Sequence, residues 1–232
     1  MNVAVILAGG LSERTSEIGK PKQFVEVSGK PLITYSLTAF QKCNDISSMV
    51  IVTPDEWISQ ITDWVIGYDI SKFKCFAKPG RTRQHSIYNA LTVLEKDLSK
   101  NDVVVIHDAA RPCVQVQDIE NCVASAKNYD GATPAIPVND TIYQSKNGVT
   151  IDSLLNRDEL YAGQTPECYN FGKYIEAHRA LSDEDIAKIR GSSEIAFRSS
   201  MNVRLYKGNP MNFKISNMAD FEYFKALTER KL

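Results

Sequence analysis

The stretch Val3-Ala4-Val5-Ile6-Leu7-Ala8-Gly9-Gly10-Leu11-Ser12-Glu13-Arg14, followed closely by Pro21-Lys22-Gln23, indicates both the fold and the ligand class of this chain. Its apolar part predicts a buried strand, and its glycines predict a turn at the end of that strand. Glycine admits a positive φ and a close approach of the backbone, so several N–H groups can point at one anion. Because Arg14 and Lys22 add two cations, the stretch predicts a cradle for a nucleotide, with a triphosphate as the expected ligand.

This loop differs from the two common nucleotide-binding loops. The pattern G-x-x-x-x-G-K-[ST] is absent, and G-x-G-x-x-G fails because Gly9 and Gly10 are adjacent. An NAD-dependent oxidoreductase is therefore disfavoured. A plain strand-to-helix turn with solvated charges is the alternative interpretation of the loop alone.

Composition predicts one ordinary globular domain. The chain has 232 residues and a formal net charge of −1, without a basic block, which disfavours a nucleic acid partner. No apolar run approaches the roughly 18 residues of a membrane span. The five cysteines are scattered without a C-x-x-C pair, which favours reduced thiols and a cytoplasmic location.

Strand and helix patterns alternate over the first 130 residues or so. Strands are predicted over 3–8, 49–53, 74–77 and 103–106, with helices near 31–42, 55–66, 85–98 and 116–127. This alternation predicts an α/β fold with a doubly wound, mostly parallel sheet. Ligands bind at the carboxyl ends of such strands, so the loops 9–23, 79–84 and 108–113 are expected to line one crevice.

A second motif, residues 103–112, is a buried strand that ends in Asp108, two alanines, Arg111 and a proline. A carboxylate beside a triphosphate loop suits Mg²⁺, which accepts carboxylate and phosphate oxygens, so Asp108 is the candidate metal ligand. The alternative is that Asp108 caps the next turn and pairs with Arg111. His107 is interpreted as structural, because no acid/base relay is evident around it.

Two further segments carry polar candidates. In 80–86 a glycine frees a turn, and Ser86 is placed in the first turn of a helix, where hydroxyl and N–H groups can contact a base or ribose. Lys214 alternates with Phe213 and Ile215 and therefore points away from them on an extended segment. It gains interest only if that segment passes the loop that contains Lys22.

Residues 139–151 break the alternation and predict a protruding β-hairpin arm with a turn at Asn147-Gly148. A contact with a second subunit is the expected use of such an arm, and a simple edge hairpin is the alternative. Beyond it, a helical stretch near 171–190, a strand near 202–206 and a terminal helix near 218–230 are predicted. The domain as a whole is expected to span 1–232.

In these motifs the chain resembles the cytidylyltransferases that act on 2-C-methyl-erythritol 4-phosphate and ribitol 5-phosphate, along nearly its whole length. The shared motifs lie at 8–14, 21–23, 80–86, 108–112, 140–141, 157–166 and 212–215. The resemblance implies a Rossmann-like nucleotidyltransferase fold, CTP as substrate and Mg²⁺ as cofactor. It also implies a homodimer formed through the arm.

The resemblance implies the following site residues. Those around the triphosphate and the transition state are Arg14, Lys22 and Lys214, and the metal ligand is Asp108. Those near the nucleotide are Ala8, Gly9, Gly10, Gly80, Arg83, Ser86 and Ala109. Those that hold the acceptor phosphate are Arg111, Thr141 and Arg157.

Within the family the polyol branch is favoured over the erythritol branch of isoprenoid synthesis. Its Leu-Ala-Gly-Gly, Thr-Pro-x-Glu-Trp and Leu-Tyr-x-Gly-Gln-Thr-Pro patterns match residues 7–10, 53–57 and 160–166. Departures from the family are Ser12 in place of a second loop glycine and Thr15 in place of a usual methionine. A further departure is 190–193 in place of a Thr-Asp pair, which leaves the acceptor open between ribitol 5-phosphate and another polyol phosphate. A non-catalytic nucleotide-binding protein is the alternative of a different class.

Overall fold

A computed structural model describes residues 1–10 and 20–229 of the chain. The strands of this part are β1 Asn2–Leu7, β2 Glu26–Val27, β3 Lys30–Pro31, β4 Ser48–Val52, β5 Phe73–Ala77, β6 Val103–Asp108, β7 Gly131–Pro137, β8 Tyr143–Gln144, β9 Ser153–Leu154, β10 Tyr161–Gly163, β11 Glu167–Asn170 and β12 Val203–Lys207. The α-helices are α1 Leu32–Lys42, α2 Ile58–Gly67, α3 Arg83–Leu94, α4 Val116–Ser125, α5 Phe171–Arg179, α6 Asp183–Lys188, α7 Ser192–Arg198 and α8 Met218–Glu229. Single 3₁₀ turns occupy Lys22–Phe24, Asp55–Trp57 and Arg157–Glu159.

The central sheet is mostly parallel, as predicted. Strands β6, β1, β4 and β5 are parallel neighbours in that order. Strands β10 and β11 follow one another along one edge of β7 and run antiparallel to it, and β11 is also antiparallel to β6. Strand β12 pairs with the other edge of β7 and forms one rim of the sheet, while β5 forms the opposite rim.

Helices cover both faces of the sheet, which explains the unbroken apolar runs of its central strands. Along β1, Ala4 and Ile6 belong to one core cluster together with residues of α1, α2 and α4. The alternate residues Val3 and Val5 belong to the other cluster, with residues of α3, α5 and α7. Both faces of β1 are therefore removed from water, and its C-terminal end opens directly onto the loops that follow.

Three helical boundaries differ from the sequence prediction. Helix α3 begins at Arg83 because the side chain of Thr82 caps it and accepts from the N–H of His85. The stretch 55–66 divides into a 3₁₀ turn and α2. The predicted single helix near 171–190 is wrong: α5 ends at Arg179, and Ser182 caps the separate helix α6 by accepting from the N–H of Asp185.

The arm is a hairpin, but the predicted return strand at 149–151 is wrong. Strand β8 pairs with β9 at 153–154, so an eight-residue connection, 145–152, replaces the tight turn. The side chain of Asn147 causes the widening, because its Oδ1 accepts from the N–H groups of Val149 and Thr150. Gly148 adopts a φ of 72° in this loop.

Across residues 1–10 and 20–229, no helix combines the length and the apolar character needed to cross a bilayer.

Candidate active site

A cleft of about 770 Å³ lies at the C-terminal ends of β1 and β6. Loops after three strands line it, as the doubly wound topology predicts: the turn at Gly9 and Gly10, the segment 80–86, and Asp108 with Ala110. Lys22 and Lys214 line the same cleft, so the segment of Lys214 does pass the loop of Lys22. The predicted site residue Arg14, together with Ser12 and Thr15, lies outside the described residues.

The turn after β1 is shaped by close packing and by a buried glutamine. Gly9 and Gly10 do not adopt the positive φ that the sequence allowed. Instead, a Cβ on Gly9 would lie 2.6 Å from the Cβ of Pro79, whereas a Cβ on Gly10 would meet open space. Gln23, only 4% exposed, donates from Nε2 to the carbonyls of Ala8 (2.8 Å) and Gly10 (3.0 Å). This amide fixes the backbone on which the N–H groups of the turn are carried.

The turn before α3 is equally close-packed. The N–H of Gly80 donates to Ser86 Oγ over 3.0 Å, and that hydroxyl donates to the carbonyl of Thr82. A Cβ on Gly80 would lie 2.2 Å from the Cβ of His85 and 2.8 Å from its carbonyl carbon. The predicted nucleotide-contact residues Gly80 and Ser86 therefore hold one another in a fixed turn at the wall of the cleft.

We expect Gly80→Ala to lower the free energy of unfolding by roughly 1–3 kcal/mol, because the added methyl must displace the first turn of α3. Gly10→Ala is the matched control, since its methyl meets no atom within 4 Å and its cost should stay within about 0.5 kcal/mol. Urea unfolding of both variants measures the difference. Equal stability of the two variants would contradict the packing argument at Gly80.

Asp108 lies at the base of the cleft between two cations. Arg83 donates to its Oδ1 from Nε (3.0 Å) and places Nη2 at 2.9 Å from the same oxygen, and Lys214 donates to its Oδ2 from Nζ (2.9 Å). Burial alone would raise the pKa of Asp108, but the charges of Arg83 and Lys214 outweigh it and hold that pKa well below its usual range. The alternative interpretation, in which Asp108 pairs with Arg111, is not supported, because the Asp108 oxygens bind Arg83 and Lys214 instead.

Arg83 is the best anchored of the cations around Asp108. Its Nη1 donates to the hydroxyl of Ser192, the first residue of α7, and its Nη2 lies 3.9 Å from Glu167 Oε2. Glu167 is buried and also accepts from Tyr169. Burial raises the pKa of Glu167, although the charge of Arg83 opposes that effect. Arg83 is thus a bridge between the cleft and a buried polar cluster behind it, in addition to lining the cleft.

Lys214 is positioned by a clamp on its own loop. Gln164 binds the backbone of Asn209 at both groups, donating from Nε2 to the carbonyl (2.9 Å) and accepting at Oε1 from the N–H (3.0 Å). Arg111 donates from Nη1 to the carbonyl of Asn212 over 2.8 Å. The N–H of Ile215 donates to the carbonyl of Ala110. These contacts fix the backbone on both sides of Lys214.

His107 is structural, as predicted. It is fully buried, and burial lowers its pKa to about 3 despite the favourable charge of Asp108. Its Nε2 faces the carbonyl of Arg111, which can only accept, so neutral His107 donates there and accepts at Nδ1 from Thr165 Oγ1. Thr165 Oγ1 in turn accepts from the N–H of Asp108. The imidazole therefore supports the strand end rather than relaying protons.

Five predicted site residues do not line the cleft. One is Arg111, whose side chain holds the Lys214 loop instead. Ala8 and Ala109 are buried in the core immediately behind it. Thr141 and Arg157 are exposed at the arm, and Arg157 donates from Nη1 to the carbonyl of Asn139 over 3.1 Å. Neither arm residue lines this cleft, so a role for either of them at a catalytic cleft requires a different cleft from the one described.

The carboxylate of Asp108 fits a magnesium ion only together with phosphate oxygens from a ligand. In the described part of the chain, no group of three or more His, Cys, Asp or Glu side chains could hold a metal ion by itself. Mg²⁺ commonly takes one or two carboxylates, several waters and the oxygens of a nucleotide phosphate. The donor set at Asp108 agrees with that pattern.

Sequence reasoning missed four residues of the site: Gln23 as the tie of the first turn, Gln164 as the clamp of the Lys214 loop, and Ser192 and Glu167 as partners of Arg83. Gln164 lies in the motif 160–166, but that pattern does not indicate which residue Gln164 binds. Ser192 lies where a Thr-Asp pair was expected, and its partner is 109 residues away. A single sequence carries no signal for contacts so distant along the chain.

Comparison with known proteins agrees with these motifs. Residues 2–230 match the family model of 2-C-methyl-D-erythritol 4-phosphate cytidylyltransferase (IspD). A ribitol-5-phosphate cytidylyltransferase of Vibrio parahaemolyticus is 30% identical over 229 residues, which cover 99% of this chain and 96% of that protein. A protein of the same name from Streptococcus agalactiae is 28% identical, with 100% and 97% coverage.

Solved structures show the same fold. The crystal structure of the Francisella tularensis 2-C-methyl-D-erythritol 4-phosphate cytidylyltransferase superimposes with a TM-score of 0.81 at 24% identity, covering 97% of this chain and 98% of that one. The 4-diphosphocytidyl-2C-methyl-D-erythritol synthase of Anaerococcus prevotii also gives a TM-score of 0.81, at 20% identity, with 99% and 96% coverage.

Proposed function

The chain belongs to the 2-C-methyl-D-erythritol 4-phosphate cytidylyltransferase family, and from that membership we propose that it transfers CMP from CTP to ribitol 5-phosphate or a related polyol phosphate. The products are a CDP-polyol and pyrophosphate. The observation that carries the proposal is the carboxylate of Asp108 held between Arg83 and Lys214, in the cleft that Gly9, Gly10 and Lys22 also line. Oriented cations around a strand-end carboxylate suit phosphoryl chemistry.

The polyol acceptor is supported by the two ribitol-5-phosphate cytidylyltransferases that match this chain over nearly their whole length. The patterns at 7–10, 53–57 and 160–166 resemble those of the polyol branch and support the same acceptor. The second candidate is the erythritol-phosphate reaction, which the family description favours. A non-catalytic nucleotide-binding role is disfavoured, since Lys22, Asp108 and Lys214 are all present at one cleft.

In the proposed reaction, a phosphate oxygen of the acceptor attacks the α-phosphorus of CTP, and pyrophosphate leaves. A phosphate monoester is already anionic at neutral pH, so no general base is needed, in agreement with the structural role of His107. The chain's own contribution is to position the two anions and to neutralise their charge with Lys22 and Lys214. Asp108 would hold Mg²⁺ jointly with the triphosphate, and that ion would supply further charge neutralisation.

The test is pyrophosphate release from each nucleoside triphosphate, combined in turn with ribitol 5-phosphate, other pentitol and hexitol phosphates, and 2-C-methyl-D-erythritol 4-phosphate. We expect turnover with CTP and a polyol phosphate only. A preference for the erythritol substrate would move the chain to the other branch, and release from no combination would favour the non-catalytic alternative. The five cysteines form no disulfide in the described part of the chain, in agreement with a reducing cytoplasm, where we propose the reaction takes place.

We further propose that the chain forms a homodimer through its arm. The arm and the residues directly after it expose an apolar surface that a single copy does not bury. Its members are Tyr143, Val149, Ile151, Leu154, Leu155 and Tyr161. A two-fold partner is the commonest cover for such a surface, and it would carry Thr141 and Arg157 to the acceptor end of the neighbouring cleft.

Arg157→Ala is expected to lower kcat/KM for the acceptor roughly 10- to 100-fold, because a charge-assisted contact to its phosphate is lost. The KM for CTP should change little. Steady-state kinetics with each substrate varied in turn measure the two effects. A loss confined to CTP would remove Arg157 from the acceptor site.

Mixing Arg157→Ala with Lys22→Ala subunits tests the shared site directly. A hybrid dimer would hold one complete site, so exchange of subunits should restore about a quarter of wild-type activity. Each variant alone, treated identically, is the control. A monomer in light scattering at assay concentration, or no recovery in proven hybrids, would contradict the arm dimer.

A further inference from the structure

Both oxygens of the Asp108 carboxylate are already occupied by cations of the protein. Oδ1 accepts from Arg83 Nε and forms an ion pair with the same guanidinium, and Oδ2 accepts from Lys214 at 2.9 Å. The carboxylate carries one negative charge and its two partners carry two positive charges. A free divalent cation that approaches Asp108 therefore meets a protein cation at each carboxylate oxygen.

The two cations are not equally fixed. Arg83 also donates to the hydroxyl of Ser192 and lies 3.9 Å from Glu167. Its side chain is 27% exposed. Lys214 makes one contact to Asp108, and its side chain is 41% exposed to the cleft. A lysine side chain is also a flexible stem with a single charged end, whereas the guanidinium is a rigid fork. Only Lys214 can leave Asp108 without breaking a buried network.

We propose that Lys214 and a divalent cation exclude one another at Asp108 Oδ2. Lys214 closes this oxygen in the free protein, and its ammonium moves from Asp108 to the phosphates of the nucleotide when the nucleotide and the cation enter together. The proposal deepens the cytidylyltransferase function and rests on it for the identity of the nucleotide. Arg83 stays on Oδ1 throughout, because Glu167 continues to balance its charge.

One functional consequence is an order of events that the chain itself imposes. Asp108 is the only carboxylate among the described residues that line the cleft. Without phosphates, Lys214 therefore stays on Asp108 and the protein does not take up the cation alone. With phosphates present, the same lysine gains new partners and Oδ2 becomes open. The cation site is therefore completed only when the nucleotide is present.

The test measures binding of Mn²⁺ alone, without nucleotide, by the electron paramagnetic resonance signal of the free ion. We expect Lys214→Met to bind Mn²⁺ on the order of tenfold more tightly than wild type, since a neighbouring unit positive charge is removed. Lys214→Gln should also gain affinity, which guards against a misfolded methionine variant. The double variant Asp108→Asn/Lys214→Met should lose the gain.

Arg81→Met is the matched control, because Arg81 lines the same cleft but pairs with Asp183 rather than Asp108. Its Mn²⁺ affinity should stay near that of wild type. Equal or weaker binding by both Lys214 variants, in protein with a wild-type melting curve, would overturn the exclusion. An equally large gain in Mn²⁺ affinity in Arg81→Met would overturn it too, because the overall electrostatic potential of the cleft would then explain the effect.

The wild-type acceptor assay separates this inference from the proposed function. CDP-polyol formation without a Mn²⁺ gain in the Lys214 variants would leave the function standing and reject the exclusion. A Mn²⁺ gain in a protein that uses no polyol phosphate would support the exclusion and reject the function.

Discussion

Asp108→Asn is expected to form product at least about 100-fold more slowly than wild type at saturating substrates and magnesium. The amide keeps the shape of the carboxylate but loses its charge. Lys214 then has no counter-charge among the described residues that line the cleft, and a metal ion loses its carboxylate ligand. The fold should persist, because Arg83 retains Ser192 and the nearby Glu167. Initial rates and a thermal melt of the same preparation measure the two properties.

Asp55→Asn is the control for this variant, since Asp55 pairs with Lys78 on the surface and does not line the cleft. Its rate should stay within about twofold of wild type, as surface pairs contribute little. An Asp108→Asn protein with wild-type turnover would remove Asp108 from the reaction. Loss of the fold itself would assign Asp108 a structural role instead.

Lys22→Ala and Lys214→Ala are each expected to lose on the order of 100-fold in rate, because each removes an oriented positive charge from the cleft. Their combination should lose less than the product of the two single losses, since groups that act on the same phosphates work as a unit. A double-mutant cycle on kcat measures the coupling.

Lys78→Ala supplies the reference cycle, because Lys78 is 77% exposed and bound to Asp55. Combined with Lys22→Ala, it should add no coupling beyond about 0.5 kcal/mol. Full additivity of Lys22→Ala and Lys214→Ala would place the two lysines on separate steps or separate ligands.

The parallel part of the fold could be predicted because its signal is local. Strands β1, β4 and β6 are buried on both faces, the rim strand β5 is half-buried, and the apolar runs of all four are followed by helices in the chain. The carboxyl ends of such strands meet by topology alone. The order of strands and helices therefore predicted that one cleft would be lined by the first turn, the 80–86 turn and Asp108.

The second half of the sheet could not be predicted in the same way. Strand β10 is only three residues long and is exposed, and β11 begins with the charged Glu167. Glu167 is buried there because Arg83, 84 residues earlier in the chain, and Tyr169 accompany it. The local sequence of this segment is typical of a polar loop, because the positive charge that allows Glu167 to be buried comes from another element.

The arm was predicted as a hairpin but not in its register. Asn-Gly is a strong signal for a two-residue turn. Here the side chain of Asn147 accepts hydrogen bonds from the loop backbone, and β8 pairs with β9 further along the chain. The apolar residues that the arm exposes are those that the proposed homodimer would cover, and a single sequence does not reveal that partner.

The position of β12 at the rim of the sheet bears on how the chain avoids aggregation. Within residues 1–10 and 20–229, no strand pairs with its outer edge, and Leu205 on it is 60% exposed. A bare edge of this kind can recruit the same edge of another molecule and grow without limit. Arg204 and Lys207, both exposed on β12, set like charges against each other in any such encounter. The strand itself thus carries the charge that opposes edge-to-edge pairing, on two basic side chains that no catalytic argument requires.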